Sequence, residues 1–298
     1  MPKVAVAAIA LIMIQLGFAP CWRSGVFLLG RFDPGRPAGT QDLLSATYLF
    51  EDHDGHVMPG AFLVAGIIIR LMPLDWTGPA ISLVVLQLLA SLALLRALYV
   101  ILGWRRVLLI PLTFALFTPL GVPGFAWWAA ALNSLPLLAA LAWVCGDAIL
   151  LIRTGNQRYA VSAVLAYFAG LLFFEKAAVV PFVAFAVSAL VCHVGGDKRP
   201  LRTAWQAGIR LWTAALALTA GWMVLYLAVV DQKRWSGDLA MTWDLLCRSI
   251  THGIVGAWPA DRGAGIAGPG VPVGDAAAGG DGARMAGAGR ATRLVADP

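Results

Sequence analysis

The sequence predicts an all-α fold, a polytopic transmembrane helical bundle of about seven spans with a long outer first loop, and three observations predict it. Of 298 residues, 60% are hydrophobic and only 13% charged, with a mean hydropathy of +0.78, against roughly 45–50% apolar and 25% charged in a soluble domain. Several apolar stretches reach the roughly 20 residues that cross a 30 Å hydrocarbon core. Basic residues fall on alternate connections between those stretches, the bias that sets orientation in a bilayer. Together these exclude a soluble enzyme, a disulfide scaffold and a coiled coil.

The first apolar run, 4–19, follows Lys3 and overlaps a signal-peptide core in length. Pro20 stands beside Cys21 where a lipobox would want a small residue, and no small-x-small cleavage site stands out in Gly17-Phe18-Ala19-Pro20, so the run reads as a retained span. Further spans are expected at 81–102, 107–120, 128–152, 159–174, 177–194 and 211–230. The apolar stretch 159–194 would make about 54 Å of helix at 1.5 Å per residue, too long for one crossing. Glu175-Lys176 marks its turn. Asn133 and Pro136 predict a kink in the fourth span, with neighbouring groups satisfying the freed backbone. Trp76, Trp127, Trp128, Trp222, Trp235 and Trp258 fall near span ends or outer segments and read as interface anchors. Trp76 and Trp127 also suit stacking on a sugar.

An inside N-terminus places Lys3, Arg105, Arg106, Arg153, Arg158, Lys198, Arg199, Arg202 and Arg210 in the cytoplasm, and leaves only Lys176 on the short outer loops. Topology thus absorbs the formal charge of +6, and no nucleic-acid partner is expected. Arg96, near the inner end of the second span, reads as a side chain snorkelling to the interface. Cys21, Cys145, Cys192 and Cys247 are scattered, with no C-x-x-C, so neither a disulfide nor a metal reading follows.

Residues 20–80 then form one long outer loop holding Asp33, Asp42, Glu51, Asp52, Asp54 and Asp75. Its second half, 60–74, is an apolar run broken by Arg70, too short to span and suited to an interfacial or re-entrant helix. The densest polar cluster precedes it: Glu51-Asp52-His53-Asp54-Gly55-His56. Two chemistries suit these groups. A carboxylate can act as general base on an acceptor hydroxyl, or a divalent metal ion can be held by Asp oxygens and His nitrogens. The metal reading is the weaker, because His53 and His56 share a helical face only if Gly55 leaves the helix intact. The plain alternative is a solvated polar loop. Glu175 and Lys176 read either as polar contacts to a phosphate or to the Glu51 loop, or as turn charges reaching the headgroups.

From Gly256 the composition changes: more than half of the remaining residues are Gly or Ala. The expected organisation is a membrane module over 1–254 and a disordered tail over 255–298. An out-of-frame reading of GC-rich DNA would encode a similar tail, so a frameshifted or truncated chain is the alternative expectation.

A first span, a long outer loop carrying acids, short interfacial helices and then spans with small loops resembles the membrane module of GT-C type glycosyltransferases. The resemblance covers roughly 1–230, and 46–74 is most similar to bacterial integral membrane proteins related to that group. It implies a bacterial plasma-membrane protein of the cell envelope that transfers a sugar from a polyprenyl-phosphate-linked donor to a hydroxyl at the outer face. The family's catalytic acid lies in the first outer loop, where this chain has Glu51, Asp52 and Asp54, with Asp52 the favoured base. His53, His56, Arg70, Glu175 and Lys176 are then substrate-binding candidates. A cation near the departing phosphate would come from Arg70, Lys176, Lys233 or Arg234. Both histidines depart from the general pattern, and family members commonly add further spans and an outer C-terminal domain. The competing readings are a transporter or lipid flippase, which needs polar groups at mid-membrane and broken helices, and a non-catalytic membrane protein.

Overall fold

The computed structural model describes residues 2–18, 42–53, 55–73, 75–118, 128–230, 243, 244, 247, 248 and 251. These residues form helices α1 (Pro2–Phe18), α2 (Ala46–Leu49), α3 (Pro59–Leu71), α4 (Thr77–Leu102), α5 (Leu109–Phe117), α6 (Trp128–Thr154), α7 (Arg158–Phe173), α8 (Val180–Val194), α9 (Pro200–Ala207) and α10 (Ile209–Val229). Single 3₁₀ turns lead into α5 (Arg106–Leu108) and α8 (Glu175–Val179). The chain divides into two units, Met1–Leu245 and Leu246–Pro298, and α1 to α10 belong to the first.

Among the described residues, four helical segments are long and apolar enough to cross a bilayer: Thr77–Leu102, Trp128–Thr154, Glu175–Val194 and Ile209–Val229. They make this a multi-pass membrane protein. Their outward faces carry large apolar side chains such as Val85, Leu89, Leu138, Phe182, Leu190 and Val224, which in a bilayer meet acyl chains rather than water. The expected spans 4–19, 107–120 and 159–174 overlap α1, α5 and α7, helices of 17, 9 and 16 residues that are shorter than these four.

Side-chain contacts fix the helix directions. Ser82 on α4 accepts from Trp128 on α6 at 2.9 Å, Arg96 pairs with Asp147, and Arg153 donates to the Val100 carbonyl. Pairing advances along both helices together, so α4 and α6 run parallel. Trp143 on α6 donates to Ser162 on α7 at 2.9 Å, while Gly170 lies against Ala140, so α6 and α7 are antiparallel. Tyr167 on α7 shares a 2.6 Å hydrogen bond with Thr219 on α10. The helix α3 does not join the bundle lengthwise. Its first turn, at Gly60, abuts Leu172 and Phe173 at the end of α7, and Ile68 and Met72 meet Gly78 at the start of α4. It therefore lies across one end of the bundle, as an interfacial helix should.

Three apolar clusters hold the unit together. One joins α6, α7, α8 and α10 around Tyr167, Leu171, Trp212 and Trp222. A second packs α2 and α3 onto the first turns of α4 and α6 around Phe62, Leu83, Trp128 and Leu132. The third joins α1, α4 and α5 around Ile12, Leu95, Leu108 and Leu112. Polar contacts reinforce this last cluster. Gln15 donates to the Leu116 carbonyl at 3.0 Å, and Gln87 donates to Gln15 Oε1 and to Ser91, both at 3.1 Å. Between apolar helices such bonds are worth about 0.6–2 kcal/mol each.

Two sequence expectations need correction. Arg96 does not snorkel free of the helices: it pairs with Asp147, which is 0% exposed, and its guanidinium lies 4.4 Å over the Trp143 ring. Trp128 and Trp222 are buried in the apolar clusters rather than set at an interface. The helix α6 continues through Pro136, and the Asn133 Oδ1 buried one turn earlier has no hydrogen-bond partner among the described residues. The first half of the outer loop, Trp127, Cys21, Lys233, Arg234 and the Gly/Ala-rich tail lie outside the described residues.

Charge separates between the two ends of the unit. Arg105, Arg106, Arg153, Arg158, Lys198, Arg199, Arg202 and Arg210 lie in or beside the helix termini at the end opposite α3, with Asp197 the one acid among the described residues there. The end that α3 covers holds Asp42, Glu51, Asp52, Asp75 and Glu175, with Arg70 and Lys176.

Candidate functional site

The polar loop 51–58 folds as a tight reversal. His53 and His56 form an antiparallel bridge, each backbone N–H donating to the other's carbonyl, at 3.1 and 3.0 Å. Two residues close such a hairpin, and Asp-Gly is the dipeptide that favours it, because its turn needs positive φ. Gly55 supplies this at φ 84°. Its N–H donates to Asp52 Oδ1 at 2.8 Å, and its carbonyl accepts from the Tyr226 hydroxyl of α10, also at 2.8 Å. Val57, fully buried in the apolar cluster of α6, α7, α8 and α10, anchors the exit of the loop, and Pro59 then opens α3 at the first helical position, where a missing N–H costs nothing.

The reversal aims His56 at the corner between α7 and α8. Phe174 is extended there, with φ −161° and ψ 121°, which ends α7 and turns Glu175 inward. His56 Nδ1 lies 2.7 Å from Glu175 Oε1, with side chains 35% and 16% exposed. The second glutamate oxygen, Oε2, is buried without a hydrogen-bond partner among the described residues. The imidazole also packs edge-on against Phe174, with ring centroids 5.8 Å apart. A carboxylate oxygen accepts, so in the neutral imidazole this contact selects the tautomer with its hydrogen on Nδ1 and its lone pair on Nε2. The imidazole is thus oriented at a half-buried position, with the Tyr226 phenol and the Asp52 carboxylate fixing the backbone beneath it.

The structure thus brings His53, His56, Asp52 and Glu175 into one site and adds Tyr226, which sequence reasoning missed. Glu51 is exposed at its edge, and Asp54 lies outside the described residues. Lys176 is exposed on the far side of the corner, its ammonium 5.0 Å over the Phe174 ring. Arg70 stands at the other end of α3, about 16 Å along the helix from Pro59. Its nearest role is electrostatic. Burial raises the Tyr48 phenol above its ordinary value, and the Arg70 charge offsets part of that. Tyr48 donates to the Phe62 carbonyl at 3.0 Å and holds α2 on α3. His53 packs edge-on against Phe62, 5.9 Å between centroids. Among the described residues no three His, Cys, Asp or Glu side chains come together to hold a metal ion.

Sequence reading could have found Tyr226 only by asking which polar side chain of the last span lies at the same end as the acidic loop. Asp147 carried a plainer signal, an acid inside an apolar span whose one base, Arg153, stands six residues on in the last turn. Comparison with protein-family models, with curated proteins and with solved structures finds no match to this chain, so its geometry alone carries the functional argument.

Proposed function

We propose that this protein is a GT-C type membrane glycosyltransferase that moves a sugar from a lipid-phosphate donor to a hydroxyl acceptor, with His56 as the base and Glu175 orienting it. The observation that carries the reading is the 2.7 Å contact between His56 Nδ1 and Glu175 Oε1 at the loop-covered end of a membrane bundle. In the reaction, His56 Nε2 takes the acceptor hydroxyl proton as the acceptor oxygen bonds to the anomeric carbon. The bond from that carbon to the phosphate oxygen breaks, and the lipid phosphate leaves with the electron pair. The family resemblance would place the base on Asp52 instead. The hydrogen bond from Gly55 N–H to Asp52 Oδ1 favours a part for Asp52 in holding the turn.

The reading includes a seven-span topology with the N-terminus inside a bacterial plasma membrane. Two features support it. Parallel packing of α4 and α6 calls for a return crossing between them, where α5 lies in the sequence, and the separation of charge puts the basic connections at one end, as cytoplasmic loops are. The acidic loop then faces outward.

The test is transfer by the purified protein in liposomes, with polyprenyl-phosphate-linked sugars as donors and release of polyprenyl phosphate as readout. His56→Gln should lower turnover about 100-fold or more, in line with general-base contributions, and Glu175→Gln should lower it less while shifting the pH profile. Loss in Asp52→Asn with His56→Gln unaffected would return the base to the acid, and no release with any donor would reject the transferase. A transporter or flippase is the second reading, favoured by the Arg96–Asp147 pair within the spans. Donor or lipid translocation without bond cleavage would select it.

A further inference from the structure

At the end of the bundle away from the polar loop, a cavity of about 470 Å³ opens between the last turns of α4 and α6. That volume falls in the range of about 300–1,000 Å³ typical of ligand sites. Its lining includes Tyr99, Val100, Gly103, Arg105, Leu150 and Arg153, two arginines and no acid. The nearest acid along either helix is Asp147, one turn deeper and already paired with Arg96. Arg153 gives one N–H to the Val100 carbonyl, which satisfies a carbonyl at the end of α4 and holds the guanidinium at the cavity wall. Its remaining donors, and the exposed Arg105 guanidinium on the same lining, supply the N–H groups that phosphate oxygens accept from.

The surroundings say where such a phosphate would come from. Tyr99 and Trp104 stack beside the cavity, with ring centroids 4.8 Å apart, and aromatic side chains of this kind mark headgroup depth at the end of a span. Tyr99 and Ile101 are exposed apolar surface next to the arginines, continuous with the outward faces of α4. A ligand here meets charge at one end and hydrocarbon at the other. We infer that this cavity binds the phosphate of an anionic membrane lipid, a phosphodiester headgroup held by Arg105 and Arg153 with its acyl chains along α4. A basic pocket between spans on the cytoplasmic side is the expected place for such a site. It lies at the opposite end of the bundle from His56 and does not depend on the transferase reading.

Thermal unfolding of the full chain in uncharged detergent micelles tests this, with dioleoyl phosphatidylglycerol, dioleoyl phosphatidylcholine, sn-glycerol 3-phosphate and inorganic phosphate titrated separately. Phosphatidylglycerol should raise the midpoint saturably, and phosphatidylcholine should not. Arg105→Gln should weaken the apparent affinity about 5-fold and Arg105→Gln with Arg153→Gln about 30-fold, the scale of one and two basic contacts to an anionic headgroup. Because Arg153 also caps α4, the single Arg105 variant decides if the double one does not fold. Arg158→Gln, at the same end but outside the cavity, should bind as the parent does. Equal effects of the two lipids, or equal loss in Arg158→Gln, would overturn the site. An equal response to glycerol phosphate or inorganic phosphate would retain the phosphate chemistry and overturn its lipid source.

Discussion

Removing the carboxylate of Asp147 should cost this bundle more stability than any other single polar change in α6. Asp147 is 0% exposed, and its Oδ1 is the ion-pair partner of Arg96, whose side chain is 26% exposed. Asp147→Ala strands the guanidinium between α4 and α6. Breaking a buried pair from one side costs about 3–5 kcal/mol. Two features reduce the cost for Arg96. Its contact with the Trp143 ring, 4.4 Å from guanidinium to centroid, survives and is worth about 0.5–2 kcal/mol. Arg96 also stands six residues before Leu102, about 9 Å from the end of α4, so its stem relieves part of the penalty by extending toward that end. The expected loss is therefore about 3 kcal/mol, the bottom of the range. Replacing both partners, Arg96→Leu with Asp147→Leu, removes both desolvation costs and should come within about 1 kcal/mol of the parent. Reversible unfolding in mixed micelles with increasing SDS measures all three free energies. A loss below about 0.5 kcal/mol in Asp147→Ala, the size of an ordinary surface change, would refute the pairing. So would a double variant as unstable as the single one.

Three further outcomes follow from the packing and the charges. An added methyl at Gly66 would sit 2.4 Å from Leu43 Cδ2 and 2.7 Å from the Tyr48 hydroxyl, so Gly66→Ala should destabilise by about 1–3 kcal/mol and loosen α2 from α3, read as faster proteolysis near Tyr48. In a cysteine-free background, Lys176→Cys should react with an impermeant maleimide in intact cells and Arg158→Cys only after permeabilisation; the reverse pattern would invert the topology. The Asp197 carboxylate accepts from Thr203 and from the Arg199 N–H, which hold it below the ordinary value of 3.8. Its contribution is thus complete above that pH and is lost as acid protonates it. The Arg199 amide resonance should titrate with a midpoint below 3.8, and a midpoint at or above it would show that the turn is not formed in solution.

How much was legible in the sequence depended on whether a feature is local. Periodicity and length marked α4, α6, α8 and α10, because a stretch of about 20 apolar residues has few alternatives to a spanning helix. The break at Glu175 was legible for the same reason, since no single helix could hold 159–194. The reversal at 53–56 was legible only as composition: Asp-Gly is a turn signature, but the bonds from Gly55 to Asp52 and to Tyr226 join positions three and 171 residues apart. Trp128 and Trp222 were misread because an aromatic near a span end satisfies the belt pattern equally well when it is buried. Burial in the apolar clusters separates the two cases, and for Trp128 so does its 2.9 Å bond to Ser82.

The same argument explains why the site assembles where it does. A polar loop beside a membrane cannot pack itself, since 51–58 contributes one fully buried apolar side chain, Val57. Its conformation must be imposed by the bundle, and three separate parts of the chain impose it. Tyr226 fixes the Gly55 carbonyl from α10, Glu175 fixes the His56 ring from the corner between α7 and α8, and Phe62 on α3 packs against His53. Each contact is modest by itself, a neutral hydrogen bond being worth about 0.5–1.5 kcal/mol. They act on one reversal whose backbone is already closed by the His53–His56 bridge, so losing one should leave the loop folded but let the imidazole turn. A Tyr226→Phe variant would therefore keep its helices and lose the definition of His56. That distinguishes a loop held for chemistry from a polar connection that merely covers the end of the bundle.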